Sequence, residues 1–277
     1  MTAESEGRPR GILLYSRLLL SVVAFLVFVA GVQLYVLSGQ TADWFAWTIA
    51  APLSAAMIGA GFWSTLVPAV AALRQPYWQE FRVSLPGALT ATTLALAATV
   101  LHLDKFHLAR PELVPRLAAV IWLLVYVVVP PAFLLAYLIQ HRMPGRDTAP
   151  RRDMPVWLRG LLLAQAAAAL LTGLALFIAP AGVAPAWGWA LTPLTARMIG
   201  AWLCAYGVLA TVAVRENDLR RVRGLMAGLV VFGALQLLAL ARFAGSVDWA
   251  KPATWAYTVF LVSVVIVNAA GMRTRAN

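Results

Sequence analysis

Charge is scarce in this sequence: only 12% of its 277 residues are Asp, Glu, Lys or Arg, about half the share of an ordinary soluble domain. With 62% hydrophobic residues, the chain lacks the polar surface that a water-soluble fold needs, so its solvent is lipid. Cysteine is nearly absent as well. The single Cys204 excludes a disulfide framework within the chain and falls inside an apolar run, where it reads as a small buried hydrophobe. No acidic residue lies inside an apolar run, so the intramembrane carboxylate of a proton-driven pump is missing. Also missing are the phosphate loop G-x-x-x-x-G-K-[ST], the nucleophile elbow G-x-S-x-G and the zinc helix H-E-x-x-H. These absences leave catalysis without a motif, and neither a metal nor a cofactor is expected.

Present instead are eight apolar runs of the length a helix needs to cross a hydrocarbon core of ~30 Å. They lie near Leu13 to Leu37, Trp47 to Leu73, Leu85 to Leu103, Leu117 to Leu138, Val156 to Ile178, Trp189 to Val214, Gly224 to Ala241 and Thr254 to Gly271. The first run has no small-residue cleavage site after it and reads as a retained helix rather than a secretory signal.

A net charge of +11 raises the question of nucleic acid, and the distribution of the charge answers it. Of the 22 Lys and Arg, sixteen fall in the N-terminal segment, the C-terminus and the loops after the second, fourth and sixth spans. Five fall on the other side (Lys105, Arg110, Arg116, Arg242, Lys251), and Arg197 lies within a span. By the positive-inside rule this predicts both termini in the cytoplasm, with anionic headgroups rather than nucleic acid as partners. Trp44, Trp47, Trp187, Trp189, Trp249 and Trp255 at the outer boundary, with Trp78 and Trp157 at the inner one, suggest an aromatic belt.

The sequence also repeats itself at an offset of 141 residues: PLSAAMIGA from Pro52 recurs as PLTARMIGA from Pro193, with seven of nine positions identical. The register continues through Arg74 with Arg215 and Arg82 with Arg223, and LHLDKF from Leu101 resembles LALARF from Leu238 after a short gap. The expected fold is all-α and integral to the membrane, with eight transmembrane helices as two tandem parallel four-helix repeats. Residues 1–140 form the first unit, 141–155 a charged cytoplasmic linker and 156–277 the second unit. Small residues spaced four apart, Ala51, Ala55 and Gly59 against Thr192, Ala196 and Gly200, put a close-packing stripe on one face of the second and sixth helices. Either the stripes join these two helices at the centre of the fold, or each packs on a neighbour in its own unit.

Arg197 is the charged residue set well within a span, and its repeat mate is Ala56. An arginine near a helix centre costs about 2.5 to 3.5 kcal/mol on insertion scales, so it pairs inside the protein or snorkels to the surface. The expected partner is a carboxylate at an outer helix end, Asp104 first and Asp248 second. The segment HLDKFH (His102 to His107) holds two of the three histidines. On a continuous helix they point about 140° apart, which argues against one shared metal or haem. Gln33, Gln165, Gln236 and Asn268 read as interhelical glue more readily than as a substrate path, and Pro130-Pro131 is expected to kink the fourth span.

LHLDKFH after the third span, the W-x-x-x-Y span ending in VVPP, and the PLTARMIGAW block together resemble polytopic membrane proteins of high-GC bacteria that have no assigned activity. The use of 20 Arg against 2 Lys fits such a genome, and the resemblance implies the inner membrane as location without assigning any functional residue. The Arg17-Leu18-Leu19-Leu20 start of the first helix is similar to DoxX-like four-span units. The expected function is binding or transport of a small or lipid-like molecule in an outward-facing pocket near Arg197, with His102 and Asp104 beside it. The alternatives are a non-catalytic partner subunit or assembly factor of a membrane complex and, third, a membrane enzyme.

Overall fold

The computed structural model describes residues 10–74, 77–145 and 152–274. Arg8, Arg146, Arg151 and Arg275, counted above as markers of the basic side, and the middle of the linker lie outside the described residues. Among the described residues the fold is all-helical, without strands, and eight helices are long and apolar enough to cross a membrane. They are α1 (Leu14–Val36), α2 (Pro52–Arg74), α3 (Trp78–Leu101), α4 (Leu113–His141), α5 (Val156–Ile178), α6 (Pro193–Glu216), α7 (Leu219–Arg242) and α8 (Pro252–Arg273).

Local sequence explains the boundaries. Proline opens α2, α6 and α8 at the position where its missing N–H would have no helical partner anyway. Thr192 caps α6 by accepting the Thr195 N–H at 3.3 Å, and Asn217 ends it in the left-handed conformation (φ 47°) that an asparagine adopts more easily than a branched residue. One residue later Asp218 caps α7, accepting the Arg220 N–H at 3.0 Å, so a two-residue turn connects two spans. α4 runs through Pro130 and Pro131 as one helix to His141.

The basic segments meet at one end of the bundle. There Arg10 Nη2 donates to the Gly145 carbonyl (3.0 Å), Gln140 bonds both Gly11 O and the Leu13 N–H, and Arg17 Nη1 donates to Leu73 O (3.2 Å). At the opposite end the loop before α2 is held by the loop after α3, and Arg242 Nη1 donates to Tyr35 O at 2.8 Å.

The helices pack in matching order in the two halves: α1 on α2 and α5 on α6, α3 on α4 and α7 on α8. Across the halves, α2 packs on α7 while α6 packs on α3. Several of these contacts recur residue by residue. A Cβ on Gly59 would stand 2.6 Å from Tyr35 N on α1, and one on Gly200 would stand 2.6 Å from Gly173 O on α5. Likewise Gly87 lies against Leu209 and Gly228 against Pro68, and the offset of 141 relates Gly87 to Gly228 and Pro68 to Leu209. The small-residue stripes therefore serve the contact within each half, because Gly59 and Gly200 face α1 and α5. The direct approach of α2 to α6 uses Gly61 and Trp202 instead, with Phe62 meeting the Trp202 ring edge-on at 5.1 Å. Ala55 and Ala196 are fully buried on the same helices.

The tryptophans divide by role. Trp44, Trp157, Trp249 and Trp255 are exposed, as a belt requires, whereas Trp47, Trp78, Trp187 and Trp189 are core residues. Trp189 Nε1 donates to Ser54 Oγ at 2.9 Å, and Trp47 packs on Phe106 and Trp122. Position at a span boundary is the same for both groups; the loops that fold back over the helix ends take the second group inside. Two of the four amides join helices, Gln236 by donating Nε2 to Met57 O (3.0 Å) and accepting from Tyr257, and Gln165 by accepting from Tyr206 at 2.6 Å; Gln33 donates to Trp44 O and Asn268 to Val264 O on its own helix.

Candidate functional site

At the end of the bundle opposite the basic one, α6 and α3 bring Arg197 and His102 together, with Arg197 Nη1 2.7 Å from His102 Nε2. A guanidinium only donates, so His102 Nε2 accepts and the ring is neutral with its proton on Nδ1. Burial, followed by the charge of Arg197, holds the His102 pKa below its ordinary value. Asp104 is not part of this contact. It lies exposed and pairs with its neighbour Lys105 at 2.8 Å, because the chain leaves the helix at His102 and turns the carboxylate outward. Asp248, the second choice, faces Lys251 at 4.0 Å. Among the described residues Arg197 has no ion pair, and its Nε is buried without a hydrogen-bond partner.

His107 has a separate task. Its Nδ1 donates to the Phe45 carbonyl (3.0 Å) and its Nε2 accepts from the Thr48 hydroxyl (2.9 Å), clamping the loop between α1 and α2. The two histidines thus go to different partners. Burial lowers the His107 pKa too.

The sign of the pH dependence follows. Both histidines bind a proton less readily in the folded state than in the unfolded chain. The stability they contribute is present above the ordinary histidine pKa of ~6.5 and is lost as the pH falls below it. Thermal unfolding in detergent should show the midpoint dropping between about pH 7 and pH 5. His102→Gln, which keeps an acceptor for Arg197 and removes the proton site, should flatten part of that drop. Superimposable pH profiles for the two proteins would remove His102 from the argument.

An apolar concavity lies further into the membrane. It has a volume of ≈ 420 Å³ and is bounded by α1, α2, α3, α4, α6 and α7. Its wall is apolar, built from residues such as Leu26, Phe62, Ala91, Val125 and Ala205. Small side chains on α3 (Gly87, Ala88, Ala91, Ala95) leave the space that larger ones would fill. Arg197 is not among the lining residues; the cavity begins one residue later, at Met198, and follows that face of α6 down to Leu209. The pocket expected at Arg197 is therefore displaced toward the membrane interior.

Its mouth is set by α1 and α4. These two helices are tied at the basic end through Gln140 and by Leu20, Val129 and Phe133. Further along, the lining residues Phe25 and Ile121 on the same helices are exposed, so the cavity opens sideways between them, toward lipid.

Polar groups in the wall are few. Thr65 and Thr92 bond back to their own helices. Tyr126, only 6% exposed, packs on Trp122 with ring centroids 4.3 Å apart, and its hydroxyl has no hydrogen-bond partner among the described residues. Trp122 is fixed in turn by donating Nε1 to Thr99 Oγ1 at 3.0 Å. The W-x-x-x-Y spacing on α4 was the available signal for this ring contact; the cavity itself had none.

At the basic end, Glu216 Oε1 accepts from Arg82 Nη2 (2.9 Å) and Arg221 Nη1 (2.6 Å), and Asp218 Oδ2 pairs with Arg221 Nε (3.1 Å). Two acids inside the basic run R-E-N-D-L-R-R-V-R were the sequence signal for it. No family model matches the chain, and neither a curated protein nor a solved structure matches it.

Proposed function

We propose that this protein binds an amphiphilic, lipid-like molecule that enters sideways from the bilayer between α1 and α4. The observation that carries this reading is the cavity of ≈ 420 Å³ with an apolar wall and the unpartnered hydroxyl of buried Tyr126. Its size falls within the range of ~300–1,000 Å³ usual for small-molecule pockets. A ligand that offers an ester, carboxyl or hydroxyl oxygen would give the Tyr126 hydroxyl a hydrogen-bond partner. The apolar remainder of such a ligand fits the wall between Leu26 and Leu209.

The same reading includes the setting. In it both ends of the chain lie in the cytoplasm of a bacterium and the helices cross its inner membrane, a reading supported by the even number of candidate spans and the uneven distribution of basic residues. The recurrent contacts at offsets of 141 and 142 residues support two copies of one four-helix unit, entering the membrane in the same direction.

Labelling with a photoactivatable fatty acid in detergent or bilayers, mapped by mass spectrometry, tests the cavity. Adducts should concentrate on Phe25, Ile121 and Tyr126, fall several-fold in Tyr126→Phe and disappear in Ala91→Trp, which fills the space. Labelling spread evenly over outward residues such as Val259 and Ile266, and indifferent to Ala91→Trp, would overturn the proposal.

A further inference from the structure

Three arginines converge at the basic end on a second pocket, of ≈ 160 Å³, between the start of α7 and the end of α8. Arg220 and Arg223 come from the first turn and a half of α7, Arg152 from the segment before α5, and Leu219, Gly271, Met272 and Thr274 complete the wall. Among the described residues the side chains of Arg220 and Arg223 have no hydrogen-bond or ion-pair partner. Arg152 Nη2 donates to the Thr274 carbonyl, and its Nε is buried without a partner. The neighbouring carboxylate, Asp218, is already engaged by Arg221 and by the backbone N–H groups of Arg152 and Arg220. It does not line the pocket.

The other half of the molecule shows what is special here. Arg10 occupies the place of Arg152: its carbonyl accepts the Trp78 N–H at 2.9 Å as that of Arg152 accepts the Leu219 N–H at 2.8 Å, and its guanidinium meets the chain just after α4 as Arg152 does after α8. Both arrangements brace the bundle. In the first half, however, the residue matching Arg220 is Gln79, and Arg82, matching Arg223, is drawn to Glu216. Only the second half therefore leaves two unpaired guanidiniums, those of Arg220 and Arg223, free to turn toward the third, that of Arg152.

We propose that this pocket holds a phosphate group, the chemistry shared by an anionic phospholipid headgroup and a soluble phosphate ester. Guanidinium forks match phosphate oxygens in geometry as well as charge. The start of α7 adds the positive end of a 24-residue helix. The volume admits a phosphate and little more than its ester carbons.

The test uses the full chain purified in neutral detergent with two probes, inorganic phosphate and phosphatidylglycerol, against phosphatidylcholine as control, read by thermal shift and native mass spectrometry. Binding of phosphatidylglycerol without an effect of phosphate assigns a lipid headgroup; a shift with phosphate alone assigns a soluble ester. In either case Arg223→Ala and Arg220→Ala, whose side chains brace nothing, should each weaken binding about tenfold. Arg223→Lys should restore part of it, and Arg159→Ala, an exposed arginine at the same end outside the pocket, should change nothing. Loss of binding in Arg159→Ala equal to that in Arg223→Ala would show a response to net charge alone, and no binding of either probe would remove the site. Both results overturn the proposal.

Discussion

Gly200→Leu is expected to abolish folding of the protein. A Cβ at this position would come within 2.6 Å of the Gly173 carbonyl, 3.1 Å of Phe177 N and 3.2 Å of Leu176 Cβ. The obstacle is mainly backbone, which cannot swing aside as a side chain does. Gly173 sits equally close from the other side, with its own Cβ position 2.8 Å from Cys204 N. The contact between α5 and α6 is a backbone-to-backbone one, which lipid-embedded helices need because burial of apolar surface gains them little there. Even Gly200→Ala forces α5 outward, and overpacking of this kind costs about 1–3 kcal/mol; leucine adds three further carbons in the same direction. Size-exclusion profiles of fluorescent fusions should show the leucine variant aggregated and the alanine variant with a lowered thermal midpoint. Gly160→Ala, on the same helix as Gly173 with nothing within 4 Å, should behave as wild type or slightly better. A leucine variant that elutes and melts like the wild type would disprove the contact.

The second large effect is expected from Glu216→Ala. Glu216 is 12% exposed and receives two guanidinium groups on one carboxylate oxygen, from Arg82 on α3 and Arg221 on α7. Removing it takes the shared carboxylate from both guanidiniums, although Arg221 keeps Asp218, and with Arg82 partly solvated the cost falls below the ~3–5 kcal/mol of breaking a fully buried pair from one side. Arg82 lies on α3 and Glu216 ends α6, so the pair also joins the two halves at the basic end. Asp104→Ala, which removes an exposed pair with Lys105, is the natural comparison and should leave the melting midpoint close to wild type. Equal midpoints for the two variants would show that the Glu216 network carries no stability.

Span number and helix limits were legible because lipid imposes length and hydropathy directly on the sequence: Val156 to Ile178 is the same in both readings, and Leu13 to Leu37 differs from α1 by one residue at each end. The limits moved most where a polar residue begins a helix, as at Trp78–Arg82, which joins α3 across a turn at Ser84. The role of Gly59 and Gly200 as close-contact positions was readable from spacing, but the partner helix was not, since a small-residue stripe carries no information on what approaches it. Arg197 was found because its charge in a span demands an explanation. Its partner was misassigned to Asp104 on the argument that a cation seeks an anion. The neutral imidazole of His102 satisfies part of the guanidinium instead, and the helix end directs Asp104 away. The cavity had no sequence signature at all, because absence of side-chain volume along α3 is indistinguishable from ordinary alanine use in a membrane helix.

The reciprocal packing of α2 on α7 and α6 on α3 has a consequence for biogenesis. The face of α2 that carries Ser64 and Pro68 is built to meet Gly228, and Met57 O is built to accept from Gln236. Some 145 residues separate the end of α2 from the start of α7, so at ~5–20 residues per second of synthesis this face waits roughly 7–30 s in the nascent chain before its partner is made. The first four helices thus leave the ribosome as a bundle with one seam unclosed, and α1, whose Tyr35 hydroxyl donates to Leu235 O, cannot take up its final register until α7 arrives. Insertion of the second half is then the step that completes the first.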